Sequence, residues 1–126
     1  MSAILSIAAG GALGALSRHG VNIAAVKLMG HGFPYATITV NIVGSFLMGL
    51  AIAAFAHFWQ PPETVRLFLV TGFLGAFTTF STFSLDFASL WERGAYLHSA
   101  TYLGGSVVLS IAALFAAMAL VKAFIT

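Results

Sequence analysis

The chain alternates long apolar blocks with short runs that a helix cannot pass. The first block runs from about Ala3 to Met29 and stops at Gly30-His31-Gly32-Phe33-Pro34. The second runs from about Tyr35 to Phe58 and stops at Gln60-Pro61-Pro62-Glu63, where two prolines remove backbone donors and clash with the preceding turn. The third runs from about Val65 to Leu90 and closes at Glu92-Arg93-Gly94, and the fourth runs from about Leu97 to Ile125. A helix crossing a bilayer needs roughly 20 mostly apolar residues, and each block supplies that. The pattern predicts an all-α integral membrane fold of four transmembrane helices, with spans at about 3–29, 35–58, 65–90 and 97–125. The connections are short, so neighbouring spans are expected to run antiparallel. Nothing remains for a second domain, and residues 1–126 read as one transmembrane unit.

Composition supports lipid as the solvent. Hydrophobic residues make up 60% of the chain and charged residues 6%, against about a quarter charged in a soluble domain. A water-soluble fold of this size could not hide that much apolar surface. The formal charge of +2, with no basic run, gives no reason to expect nucleic acid as a partner. There is no Cys, which removes disulfides and thiolate metal sites. The N-terminal block lacks a basic n-region and continues past Arg18, so it reads as a retained span rather than a cleaved signal.

Charge near the span ends gives no orientation. Lys27 and Arg93 fall on one side of the membrane, Arg66 and Lys122 on the other. A chain without this bias can insert both ways, which permits an antiparallel, dual-topology homodimer with a two-fold axis in the membrane plane. One orientation fixed by features outside this count is the alternative.

Several polar residues sit where lipid would be. Gly10 and Gly14 form a GxxxG pair, a signal for close helix approach. Arg18, well inside span 1, is expected either to face a water-filled vestibule that draws anions or to snorkel to an interface. In span 2, Thr37, Asn41 and Ser45 share one helical face. They serve as interhelical glue or as donors to a passing anion. In span 4, Tyr102, Ser106 and Ser110 repeat that spacing as a ladder of hydroxyls that can donate along a path.

Span 3 is the least ordinary. Gly72-Phe73-Leu74-Gly75-Ala76-Phe77 leads into Thr78-Thr79-Phe80-Ser81-Thr82-Phe83-Ser84, combining glycines and hydroxyls at mid-membrane depth. Gly and Thr both weaken a helix, and non-helical backbone here must be buried in protein or line a cavity. The reading is a break, with Gly75 and Thr78 carbonyls free to coordinate a small cation and a new half-helix starting near Thr79 to Ser81. That half-helix N-terminus, with Thr79 beside it, would favour an anion. The competing reading is an unbroken helix whose hydroxyls bond back to the i−4 carbonyl. Phe80 and Phe83, three apart, either pack in a core or present positive ring edges to an anion. Asp86 shares their face, as a gate residue, a partner for a basic group, or a simple interfacial carboxylate.

These residues carry a resemblance that covers nearly the whole chain. The glycine-rich opening with Arg18, the stretch Asn41-Ile42-Val43-Gly44, and the run from Gly72 through Ser84 are similar to the Fluc, or CrcB, fluoride channels of microorganisms. The resemblance implies an antiparallel homodimer with two fluoride pores in the cytoplasmic (inner) membrane. It implies Asn41, Phe80 and Phe83 as pore residues, with Thr79 among them and Tyr102, Ser106 and Ser110 as the hydroxyl track. Arg18 and Asp86 are then vestibule or gate residues. It also implies a structural sodium ion at the dimer interface, held by backbone carbonyls that fall on Gly75 and Thr78. The implied role is passive fluoride efflux and not enzymatic catalysis, with fluoride, sodium, lipid and a second copy as partners. A proton-coupled exporter would need a mid-membrane carboxylate, and spans 1 and 2 have none. A non-transporting assembly subunit, whose polar stripes are all glue, is the other alternative.

Overall fold

The computed structural model describes residues 2–125. Helix α1 spans Ser2–Met29 and α2 spans Tyr35–His57. The third span begins with a short α3, Glu63–Arg66, widens into a π-helix at Leu67–Leu74, and tightens again in α4, Gly75–Phe77. It resumes as α5, Ser81–Glu92, and the chain closes with α6, Tyr96–Ala123. The predicted span limits agree with these elements to within about two residues. The π-helix was not foreseen.

The sequence punctuation explains the ends. Gly30 adopts φ +77°, a left-handed conformation that a side chain would resist, and its N–H closes on the Val26 carbonyl at 2.9 Å. Pro34 and Pro62 precede the first residues of α2 and α3, where a missing N–H costs nothing. Gly94, also at φ +77°, turns α5 into α6.

Three helical stretches are long and apolar enough to cross a membrane: Tyr35–His57, Glu63–Glu92 taken through its break, and Tyr96–Ala123. Helix α1 has 28 residues, as long as α6, but Arg18, His19 and its glycines dilute its hydropathy. The fold is therefore four long helical rods, three of which are apolar enough on their own to span. Only 28%, 22% and 17% of the apolar windows of those three is buried within the chain. Leu28, Leu97 and Phe124 are each about four-fifths exposed, so this surface requires lipid or another protein surface as its solvent.

Packing is set by small residues. Helix α2 lies mainly against α6, and α1 against the π-helix and α4. A methyl group at Gly10 would collide with the Phe68 carbonyl, and one at Gly14 with the Phe73 carbonyl. Across from them, a methyl at Gly72 would come 2.9 Å from the Ile7 carbonyl. The GxxxG pair is thus a seam inside the chain, holding α1 against the first half of span 3. A second cluster joins α5 to α6: Phe83, Leu90 and Tyr102 are buried together, with Phe33, Ile38 and Phe87 around them.

Candidate functional site

The break in span 3 is the centre of the site. Thr78 leaves the helix with φ −85° and ψ 159°, an extended conformation, and α5 begins at Ser81. Back-bonding occurs on both sides of it without healing it. The Thr78 hydroxyl donates to the Leu74 carbonyl at 2.9 Å, and the Ser84 hydroxyl donates to the Phe80 carbonyl at 3.1 Å. The span is therefore broken and the unbroken-helix alternative fails, although the back-bonding it invoked occurs on either side of the break.

Two side chains from neighbouring helices hold the broken backbone. From α2, the Asn41 amide nitrogen donates to the Thr79 carbonyl at 3.0 Å, while its oxygen accepts the Thr79 N–H at 2.8 Å. An asparagine amide has two N–H donors, so one remains after this exchange. From α1, Arg18 Nε donates to the Ala76 carbonyl at 3.0 Å. The Thr79 hydroxyl accepts the Thr82 N–H at 3.2 Å, which occupies one of the free donors at the start of α5. Among the described residues, the Gly75 and Thr78 carbonyls accept no hydrogen bond. Oxygen donors of this kind suit a hard cation of low charge, so the two residues fit a sodium site in chemistry.

On one side of the break lies an open cavity of about 310 Å³. It gathers Asn41, Thr79, Phe80, Phe83, Ser106 and Ser110, together with Ser45 and Thr78. The Phe80 and Phe83 rings stand 5.6 Å apart at a 49° tilt. Phe83 is buried, and Phe80 is 78% exposed. The Ser106 and Ser110 hydroxyl oxygens are buried and have no hydrogen-bond partner. A buried polar atom without a partner is costly, and such atoms need a reason.

Tyr102 does not line this cavity. It is fully buried, its ring lies 5.1 Å from Phe83, and its hydroxyl donates to Asp86 Oδ2 at 3.0 Å. The Thr37 hydroxyl donates to the same carboxylate oxygen at 2.6 Å. Asp86 thus ties α2, α5 and α6 together. Its partners are hydroxyls rather than the basic group the sequence allowed.

On the other side of the break, Arg18 lines a cavity of about 320 Å³ with His19, Asn22, Thr37, Thr79 and Thr82. A neighbouring cavity of about 280 Å³ is lined by Asn22, Thr37, Thr82, Asp86, His31 and Arg93. Asn22 and Thr82 border both. Thr82 belongs to the polar run read from sequence, whereas Asn22 was not singled out, although it follows Arg18 by one helical turn and shares its face. Thr79 borders the Arg18 cavity and the phenylalanine cavity alike.

The chain is similar to known proteins over most of its length. Residues 5–118 match the family model described as CrcB-like protein, Camphor Resistance (CrcB). A protein of Rhodospirillum centenum named fluoride-specific ion channel FluC is 48% identical over 122 residues, covering 97% of each chain. A protein of the same name from Agrobacterium fabrum is 52% identical, covering 93% of this chain and 94% of its own. A third, from Mesorhizobium japonicum, is 52% identical over 89% of this chain and 90% of its own. With a family match across most of its length and relatives about half identical from end to end, the chain belongs to the CrcB family, whose matched members carry the name of fluoride channels and not of enzymes.

Proposed function

We propose that this protein is a fluoride-selective channel that carries fluoride passively out across the cytoplasmic membrane, as an antiparallel homodimer with two pores. The observation that carries the reading is the pair of unpartnered hydroxyls, Ser106 and Ser110, buried beside the Phe80–Phe83 ring pair in one open cavity. A small anion supplies what those hydroxyls lack. The names borne by the relatives point to the same ion.

Fluoride collects first in the Arg18 cavity, where a guanidinium raises the local anion concentration. It then sheds water near Thr79. The spare Asn41 N–H, the Ser106 and Ser110 hydroxyls and the phenyl edges replace that hydration. Several weak stations let the ion leave as readily as it enters, and a tight path rejects larger halides. The Tyr102 hydroxyl, engaged with Asp86, joins the track only by releasing that carboxylate. Asp86 thereby acts at the end of the track, as a gate. The exposed Phe80 ring and the half-open cavity wall are completed by a second copy. The Gly75 and Thr78 carbonyls would hold the sodium ion, which would supply a fixed positive charge beside the break. Because fluoride enters cells as neutral HF and is trapped as the ion, a passive path suffices for efflux.

The test is fluoride release from liposomes with Phe80→Ile and Phe83→Ile proteins, each checked for dimer formation by size-exclusion chromatography with light scattering. Intact dimers with flux lowered at least tenfold support the reading. Undiminished flux in both would reduce the rings to packing and remove them from the path.

A further inference from the structure

We propose that Arg18 is a positioning residue for the break in span 3, acting through the Ala76 carbonyl to aim the oxygens that flank it. The break frees the carbonyls of the last helical turn. In a continuous helix, Ala76 would accept the Phe80 N–H, but Thr78 turns extended before that bond can form. Arg18 Nε takes the vacated oxygen at 3.0 Å. The carbonyls of Gly75 and Thr78, on either side of it in sequence, are left without a donor.

The register that delivers Arg18 is built into α1. Gly14 lies one helical turn before it on the same face. A methyl at Gly14 would meet the Phe73 carbonyl and come 3.1 Å from Ala76 Cβ. Close approach at Gly14 therefore sets Arg18 against Ala76. The guanidinium also places positive charge at the C-terminal end of the first half of span 3, where the helix dipole is negative. Its terminal nitrogens take no hydrogen-bond partner among the described residues, and the side chain borders a cavity. One side chain thus does two separable things: Nε fixes backbone, and the terminal nitrogens supply charge. The fixed Ala76 oxygen is withheld from any cation, while the Gly75 and Thr78 oxygens stay available.

Side-chain chemistry separates the two roles. Gln carries an amide nitrogen the same number of bonds from Cα as Arg Nε, but no charge. Lys carries the charge, but a carbon at that position. The experiment is hydrogen exchange on the full-length protein in detergent, wild type against Arg18→Ala, Arg18→Lys and Arg18→Gln. The reporters are the amides of Thr78, Thr79 and Thr82, which donate at the break to the Leu74 carbonyl, the Asn41 side chain and the Thr79 hydroxyl. Positioning predicts exchange about tenfold faster in the Ala and Lys proteins, and near the wild-type rate with Gln. Rescue by Lys and not by Gln, or wild-type exchange in all three, would overturn it.

A second readout is the sodium concentration that half-maximally raises the melting temperature, with choline as the control cation. This arm rests on the sodium part of the proposed function, and the exchange arm does not. The expected midpoint rises about tenfold for Ala and Lys, and stays close to wild type for Gln. A Gln-type exchange pattern with no sodium effect in any protein would sink the sodium site and leave the positioning role standing. A sodium midpoint shared by wild type and Arg18→Ala would show that Arg18 does not aim the two carbonyls.

Discussion

Asn41 and Thr79 exchange two hydrogen bonds across the gap between α2 and the break: the side-chain amide donates to the Thr79 carbonyl at 3.0 Å and accepts its N–H at 2.8 Å. This is the pattern one strand offers another, reproduced by a single side chain. It gives an unwound residue in mid-span the backbone partners that a helix would have supplied. Replacing Asn41 with Ala should therefore cost about 2 kcal/mol, since both Thr79 groups lose their partners. Asn41→Asp keeps the acceptor but sets a carboxylate against the Thr79 carbonyl, and should be no more stable than Ala. Thermal unfolding in detergent checks both, and melting points equal to wild type would contradict the clamp.

Ser106 and Ser110 should behave in the opposite way. Their hydroxyls bond nothing in the folded chain, so Ser106→Ala and Ser110→Ala should leave stability unchanged or raise it, by up to about 1 kcal/mol. Each removes a donor from the proposed path, and flux should fall about tenfold for about 1.4 kcal/mol of lost ion stabilisation. Unfolding midpoints and liposome flux measured on the same preparations separate the two effects. A stability loss with unchanged flux would make these hydroxyls structural.

The Asp86 carboxylate accepts both the Thr37 and the Tyr102 hydroxyl on one oxygen. Asp86→Ala leaves the fully buried Tyr102 hydroxyl without its acceptor and should destabilise the protein by about 1–3 kcal/mol. Asp86→Asn retains one carbonyl acceptor and should lose less than half of that. A double-mutant cycle with Tyr102→Phe should show coupling, since the two side chains share the bond. Additive effects would mean the contact contributes nothing.

Two glycines make a paired prediction. A side chain at Gly14 would collide with the Phe73 carbonyl, whereas one at Gly104 has nothing within 4 Å. Gly14→Leu should prevent α1 from seating on span 3 and abolish the folded protein. Gly104→Ala should be neutral or stabilising, by up to about 1 kcal/mol, through helix propensity. Yield and melting temperature of the two proteins give the comparison.

The helical rods were legible because their boundaries are chemical. Gly30 and Gly94 adopt φ +77°, and Pro34, Pro61 and Pro62 stand in the connections, so the elements end or begin beside them. The break at Thr78 was legible for the same reason, through local Gly and Thr content. The π-helix at Leu67–Leu74 was not, because nothing in its apolar run marks a wider turn apart from an ordinary α-helix. Its neighbour α1 approaches through Gly10 and Gly14, contacts made between distant parts of the chain. The partners of Arg18 and Asp86 were hidden likewise. Arg18 meets a carbonyl 58 residues away and Asp86 a hydroxyl 49 residues away, and a helical wheel shows a face but not what covers it. Tyr102 illustrates the limit. Its spacing from Ser106 and Ser110 puts it on their face, yet its longer side chain carries the hydroxyl past the serines to Asp86.

The central claim is fluoride selectivity, and one flux measurement tests it directly. Purified protein is reconstituted in liposomes loaded with equal potassium fluoride and potassium chloride. Valinomycin is added to carry the compensating potassium, and both external anions are followed with selective electrodes. The account predicts rapid fluoride release with chloride retained. No fluoride release, or release of chloride at an equal rate, would contradict it.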